Sequence, residues 1–519
     1  MGEPDIGDAW VLPQTFAMLR SRASQSCGLF LLAAVLAPVL AACGTTVPVA
    51  QQGAASSLDG SLGGGPAGSG SSTGGGSVPD AATGPSVGTT GTTSGTGTGP
   101  VGQPGQLPGG AQGTSGVSTP GAVKDAAPLK VGVFYLNGGN QLISSAFPGS
   151  SVSFGDGKRE AQAIIDDVNA HGGAGGHKLV PGWIPIEATD NDAARQQKCL
   201  GAVQDLKPVA VFAIFNLTAG LARCVQQSNV LMIDVALGAG DEVLYSQAKN
   251  LAFSPSQLTR DAEQKLVLGL ARKEGKLPSG KTVGLVAQGD DPMYPRVLHN
   301  TVEPLLRSWG VPYSEQILSS GSDTSGMNGA ILKFQSSHVD TVVFSLGSGG
   351  IPEVLFMQAA EQQQFRPAYL MGDSTDTNFV GSQAPANQIK RISGAGTYPL
   401  ANVRADQYPS SPAEKKCLAV LNKAIGGYTN RYSSLTGTLY CEIIGSFAFV
   451  AGHVQGPVTP GSWSQTFHAL GSAYRPVTTF TTHFVPGRPD GASSYRSIGY
   501  GQSCGCLTYT SPTRPVPAS

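Results

Sequence analysis

Residues 129–136 read LKVGVFYL and residues 157–170 read GKREAQAIIDDVNA. The first is a short apolar run rich in β-branched residues, the pattern of a strand buried in a parallel sheet. In the second, Ala161, Ile164, Ile165 and Val168 fall on one face of a helix. The run HGGAGGHK (171–178) then stops that helix. A buried strand followed by an amphipathic helix is the opening unit of an α/β chain.

Outward from this unit the pattern recurs. ARQQKCLGAVQDL (194–206) reads as a helix, and VAVFAIF (209–215) and VLMIDV (230–235) read as buried strands. A second half repeats the theme. TVGLVA (282–287), VDTVVFSL (339–346) and PAYLMGD (367–373) are strands. RVLHNTVEPLLRSWG (296–310) is a helix ended by glycine, and IPEVLFMQAAEQQQ (351–364) is a helix with Pro352 in its tolerant first turn. Strand–helix alternation with short loops implies parallel sheets covered by helices on both faces. Ligands of such sheets sit beyond the carboxyl ends of the strands.

The N-terminal part is different in kind. Arg20 and Arg22 precede an apolar run, Gly28–Ala42, that ends in small residues before Cys43. That is the layout of a secretory signal. Fifteen residues of helix rise about 22 Å, short of a bilayer core of about 30 Å. The first seventeen residues hold Glu3, Asp5 and Asp8 without Lys or Arg, which suggests Met18 as the true start. Residues 44–127 are dominated by Gly, Ser, Thr, Pro, Ala and Val, with Asp59, Asp80, Lys124 and Asp125 as their charges. Such a segment cannot bury enough apolar surface to fold. It predicts a tether with an r.m.s. span of about 50 Å. The remaining stretch of about 390 residues exceeds what one core usually holds, so two lobes are expected.

Leu40-Ala41-Ala42-Cys43 resembles the lipobox of bacterial lipoproteins. The resemblance implies cleavage before Cys43 and a diacylglyceryl group on its thiol, anchoring the chain outside the cytoplasm. Six further cysteines remain after Cys27 and Cys43: Cys199, Cys224, Cys417, Cys441, Cys504 and Cys506. An even number in an exported chain suggests disulfides. Cys199–Cys224 and Cys417–Cys441 are the expected pairs, each closing a loop of about 25 residues. Cys504-Gly-Cys506 either closes a small ring or pairs elsewhere. No CxxC spacing supports a metal site, and no cofactor motif is present. Lys+Arg number 33 against Asp+Glu 34, a formal charge of −1, so there is no basic footprint for nucleic acid.

KVGVFYLNGG, then GDGKREAQAIIDDVNAHGGAGGHKLV, then PVAVFAIFN resemble the type I periplasmic binding proteins. The nearest branch is the Leu/Ile/Val-binding-like receptors of ABC importers. The resemblance covers about 129–500 and implies two Rossmann-like lobes joined by three crossovers, with a small polar ligand clasped between them. The lobes implied are 128–253 with 398–480, and 254–397 with 481–519, after a signal at 1–42 and a linker at 43–127. An ABC permease is the implied partner. A sensor without a transporter is the alternative.

Candidate ligand residues follow from the strand ends. FNLTAG (215–220) follows a strand and opens a helix, so its N–H groups and the Thr218 hydroxyl offer a seat for a carboxylate, with Asn216 beside it. DVALGAG (234–240) offers backbone at Leu237 and Gly238. It lacks the Ser or Thr that amino-acid binders carry there, which weakens the case for an amino-acid carboxylate. In QGDDPMYPRV (288–297), Asp291 and Tyr294 are the contacts that the resemblance implies. In SLGSGG (345–350), Ser345 is the candidate. In MGDSTD (371–376), the resemblance implies that Asp373 pairs with a ligand ammonium, with Asp376 in reserve. Gly372-Asp373-Ser374 is also nearly a nucleophile elbow, but Asp376 replaces the closing glycine, so a serine hydrolase is a remote alternative. HGGAGGH follows a helix rather than a strand, which excludes a phosphate loop.

Overall fold

The computed structural model describes residues 126–146, 154–187, 190–236, 238–277, 280–347, 349–399, 403–404, 407–433 and 435–517. These all belong to one compact unit, Gly110–Ser519. The signal segment, Cys43, the linker up to 125 and Leu237 lie outside the described residues.

A first sheet is entirely parallel, in the order β2-β1-β3-β4-β5. Its strands are β1 (Ala126–Asn137), β2 (His177–Glu187), β3 (Ala210–Ala213), β4 (Leu231–Asp234) and β5 (Ala252–Phe253). Between them run α1 (Gly139–Ala146), α2 (Gly157–Ala170), α3 (Asp192–Leu206), α4 (Ala219–Ser228) and α5 (Glu242–Gln247). α2 starts where the Asp156 side chain accepts from Arg159 N at 3.1 Å, and it buries Ala161, Ile164 and Ile165.

After α6 (Arg260–Lys273) the chain builds a second sheet, in the order β12-β11-β10-β9-β8-β6-β7 with β13 on β11. In chain order its elements are β6 (Thr282–Gln288), α7 (Met293–Val297), a π turn (Leu298–Val302), α8 (Glu303–Ser308), β7 (Tyr313–Leu318) and α9 (Thr324–Ser336). They continue as β8 (Val339–Ser345), α10 (Ile351–Gln362), β9 (Ala368–Met371), α11 (Thr377–Gln383), α12 (Ala386–Ile389) and β10 (Ile392–Gly396). The chain then returns to the first sheet as α13 (Pro412–Ala424), α14 (Leu435–Ala451) and α15 (Pro460–Ala469). It crosses a third time to end as β11 (Ser494–Gly501), β12 (Cys506–Tyr509) and β13 (Arg514–Pro515). The fold is thus α/β with parallel sheets and three crossovers.

Two features differ from the sequence reading. The helix expected over 296–310 is interrupted by the π turn. Pro304 follows directly and has no N–H for the carbonyl four residues back, so the ladder widens there. The C-terminal strands run antiparallel to β10 and to one another, an edge that strand–helix alternation does not predict. A turn between β11 and β12, closed by Cys504–Cys506, reverses the chain.

Each sheet face has its own core. Val131 and Val133 face α2 and α13–α15, whereas Phe134 faces the opposite side with Val211 and Leu221. Beyond the second sheet, Phe334, Phe344, Phe356 and Tyr369 fill a third cluster. Disulfides join Cys199 to Cys224 and Cys417 to Cys441, tying α3 to α4 and α13 to α14. Among the described residues no helix is long and apolar enough to cross a membrane.

The crossovers are stitched to each other. Ser254 N donates to Pro489 O at 2.9 Å, and Thr259 N donates to the buried Asp490 at 2.9 Å. Phe480 N donates to Thr397 O at 3.2 Å, and Thr478 Oγ1 to Ser256 Oγ at 3.0 Å.

Candidate functional site

The loop after β4 meets Ser374 after β9 and Arg296 after β6, so the carboxyl ends of the two sheets face each other. On the first-sheet side, Thr218 caps α4, its hydroxyl accepting from Leu221 N at 3.4 Å. That hydroxyl also donates to Asp192 Oδ1 at 2.5 Å. Gly220 N donates to both Asp192 oxygens, at 3.0 and 2.9 Å. At the helix start where a ligand carboxylate was expected, the chain's own Asp192 takes these donors. Helix-end N–H groups and a carboxylate satisfy each other wherever the carboxylate comes from. Asn216 is nearly buried, with its amide 3.4 Å from Leu217 O. Beneath this loop Asp234 is fully buried and accepts from Tyr245 Oη at 2.9 and 3.1 Å. Burial lifts its pKa to about 7 against the lowering effect of these bonds.

Gly238 closely approaches the other side. A Cβ there would stand 2.7 Å from Ser374 Cβ and 3.0 Å from Arg260 Nη2, and its φ is +102°. Only glycine fits that conformation and that gap. Next to it, the buried Asp241 caps α5 through Leu244 N at 2.9 Å and accepts from Arg296 Nε at 2.5 Å.

On the second-sheet side, Tyr294 and Ser345 come together, with Ser345 Oγ donating to Tyr294 O at 2.9 Å. The Tyr294 ring lies 5.2 Å from the Arg260 guanidinium and is 5% exposed. Burial raises its pKa to about 12, with Asp291 adding to the rise. Asp291 accepts from Met293 N at 2.8 Å. Burial raises its pKa first, and the charges of Asp192 and Asp241 add to the rise against Arg296. So Asp192, Asp241, Asp291, Arg296 and Tyr294 form one charged seam.

Asp373 sits elsewhere than expected. Its carboxylate accepts from Thr397 N at 3.0 Å, Thr397 Oγ1 at 2.5 Å and Tyr398 N at 3.2 Å. It therefore ties the end of β9 to the crossover after β10, where a ligand ammonium was expected. Asp376, the reserve, is in the left-handed region at φ +40° and caps α11 through Phe379 N at 3.1 Å. Ser374 donates from Oγ to Glu263 Oε1 at 2.8 Å.

The sequence reading missed Asp192, Asp241, Arg260, Glu263 and Arg296. Arg260 and Glu263 belong to TRDAEQK (259–265), which reads as a solvated first helical turn. Both are buried because α6 lies between the sheets' facing loops. Asp192 carried a signal, since NDAA (191–194) is an acidic helix start directly after a strand.

Where α11 begins, a cavity of about 860 Å³ opens. Asn378, Ser382, Arg404, Asn430 and Tyr432 line it, with the Cys504–Cys506 turn as one wall. A separate cluster, His299, Glu303 and Glu315, brings three ligand atoms within 4.8 Å. Its groups bond to one another and to Arg307 and Tyr313.

Residues 144–441 match the family described as periplasmic binding protein. No curated protein sequence matches the chain. Among solved structures, a branched-chain amino acid ABC transporter protein from Thermus thermophilus with bound valine is 15% identical, with TM-score 0.56 over 75% of this chain and 97% of that one. A Rhodopseudomonas palustris solute-binding protein in complex with 4-hydroxybenzoate is 14% identical, with TM-score 0.55 over 76% and 98%. A possible leucine/isoleucine/valine-binding protein from Rhodopirellula baltica is 12% identical, with TM-score 0.55 over 76% and 98%.

Proposed function

We propose, from the premise that this chain belongs to the periplasmic binding protein family, that it is an extracytoplasmic solute receptor. It captures a small polar ligand between two lobes and presents the closed form to an ABC permease. Family membership makes it a binding protein rather than an enzyme. The lobes of this reading are 128–253 with 398–480, and 254–397 with 481–519. The Gly/Ser/Thr/Pro-rich linker tethers them to a lipid on Cys43.

The observation that carries the reading is the approach of Gly238, from a first-sheet loop, to Ser374 and Arg260 of the second half. Loops that meet at the ends of two parallel sheets can be bridged by one ligand only when they close. A ligand that touches both sides favours the closed form by its differential affinity. A permease then distinguishes closed from open by shape. The relatives with valine and 4-hydroxybenzoate bind compounds of this size class.

Thermal-shift screening of the chain against small polar metabolites tests the capture step. Stabilisation by one of them is expected; none from any would sink the receptor reading. Mass spectrometry of the mature N-terminus tests the anchor, which requires a diacylglyceryl mass on Cys43.

A further inference from the structure

Resting on the solute-receptor reading, we propose that the ligand is a hydroxyl-rich, sugar-like molecule seated in the cavity beside α11 and stacked on Tyr432. The seam itself leaves few groups for a zwitterion. Asp192 fills the helix-end anion seat, Asp373 is tied to Thr397, and Gly238 abuts Ser374. The seam also concentrates acids, because Asp291 feels Asp192 and Asp241.

The cavity has the opposite chemistry. Its lining among the described residues carries hydroxyls and amides, the Arg404 guanidinium, Leu507 and the Cys504–Cys506 disulfide, and no carboxylate. Its volume of about 860 Å³ falls within the range of about 300–1,000 Å³ typical of small-molecule sites, several times the bulk of one amino acid. Tyr432 supplies a ring to the lining. Flat, amphipathic rings are the surfaces on which sugar faces pack.

The lining is held in place before any ligand arrives. Ser433 Oγ accepts from Thr429 N at 2.8 Å and Asn430 N at 2.9 Å, while Asn430 Oδ1 accepts from Tyr432 N at 2.8 Å. Preorganised turns lose little entropy on binding. The cavity is also two-sided. Asn430 and Tyr432 lead into α14, which packs on the first sheet, whereas Ser382 lies in α11, packed against β12 of the second. A ligand here would report closure as one in the seam would.

Isothermal titration of the full chain with sucrose, trehalose and a panel of monosaccharides tests this, with valine and 4-hydroxybenzoate as the rival probes. At least one sugar is expected to bind. Asn430→Ala and Tyr432→Ala are each expected to weaken that sugar at least ten-fold, with the unliganded melting temperature as the check on folding. Ser382→Trp, which fills the cavity from the other side, is expected to abolish binding. Sugar binding untouched by all three variants overturns the location. Binding of valine or 4-hydroxybenzoate alone, lost in Tyr294→Ala but kept in Asn430→Ala, overturns the inference and leaves the receptor reading standing. Binding of no sugar in the panel overturns the inference, and the receptor reading falls only if the wider metabolite screen also finds no ligand.

Discussion

Glu353 sits in the first turn of α10, is 1% exposed, and has one carboxylate oxygen without a hydrogen-bond partner. Burial lifts its pKa to about 8; Arg260 opposes the rise, while Glu263 and Asp376 add to it. Asp234 and Asp376 are likewise lifted by burial, each to about 7. The sign follows from proton counting. A carboxyl whose folded pKa is raised holds a proton in the folded state that the unfolded chain has already lost. Stability therefore falls as pH climbs from about 4.5 through 8. Glu353→Gln removes one such group without changing its shape. It should leave stability at pH 4 unchanged and raise it at pH 9 by a few kcal/mol, on the order of 5 at most. Denaturant midpoints at the two pH values measure this. Equal midpoints for variant and parent at pH 9 would refute it. At this scale the sequence was least legible. Asp373 and Glu353 are both acidic residues near strand ends, and nothing local separates a ligand contact from a crossover tie or a buried acid.

Elements were more legible, because their signal is local. α2 runs over the very span, Gly157–Ala170, that apolar spacing and the Gly-rich stop delimit. The β-branched runs at 282–287 and 339–346 became β6 and β8 with ends shifted by a residue. The π turn before Pro304 and the antiparallel edge were not legible, since each depends on what packs beside it. The disulfides give a prediction at this scale. Cys199–Cys224 ties two neighbouring helices across 25 residues, whereas Cys504–Cys506 spans a separation of 2. Loop-closure entropy makes the first worth about 3.5 kcal/mol and the second about 1.6. Replacing both cysteines of a pair by serine should follow that order in chemical denaturation. The reverse order would show that the short ring holds the tail strands in place through more than chain entropy.

For the whole molecule, closure rests on few contacts. Arg296, 25% exposed, reaches the Asp241 carboxylate, 1% exposed, across the seam. Removing the cation leaves a buried acid unpaired, at a cost of about 1–3 kcal/mol given the partial exposure. Arg296→Gln should therefore raise hydrogen-exchange rates in 238–244 and 293–297 by about ten-fold, with the strand cores unchanged. Unaltered exchange in both segments would mean that the seam does not govern opening. The two-lobe size estimate and the strand–helix alternation came from the sequence alone, because burial on both faces of a sheet forces continuous apolar runs and a helix's wet face forces spacing. Composition also set the long linker apart from the folded part. Which charged groups meet at the seam was decided only in three dimensions. Asp192 and Thr218 are 26 residues apart, and Thr397 and Asp373 are 24 apart. Arg296 and Asp241 are separated by 55. Chain proximity says nothing about such pairs. Only the stacking of strands brings their loops to a common edge, and only there does one carboxylate fill a seat that another molecule could have taken.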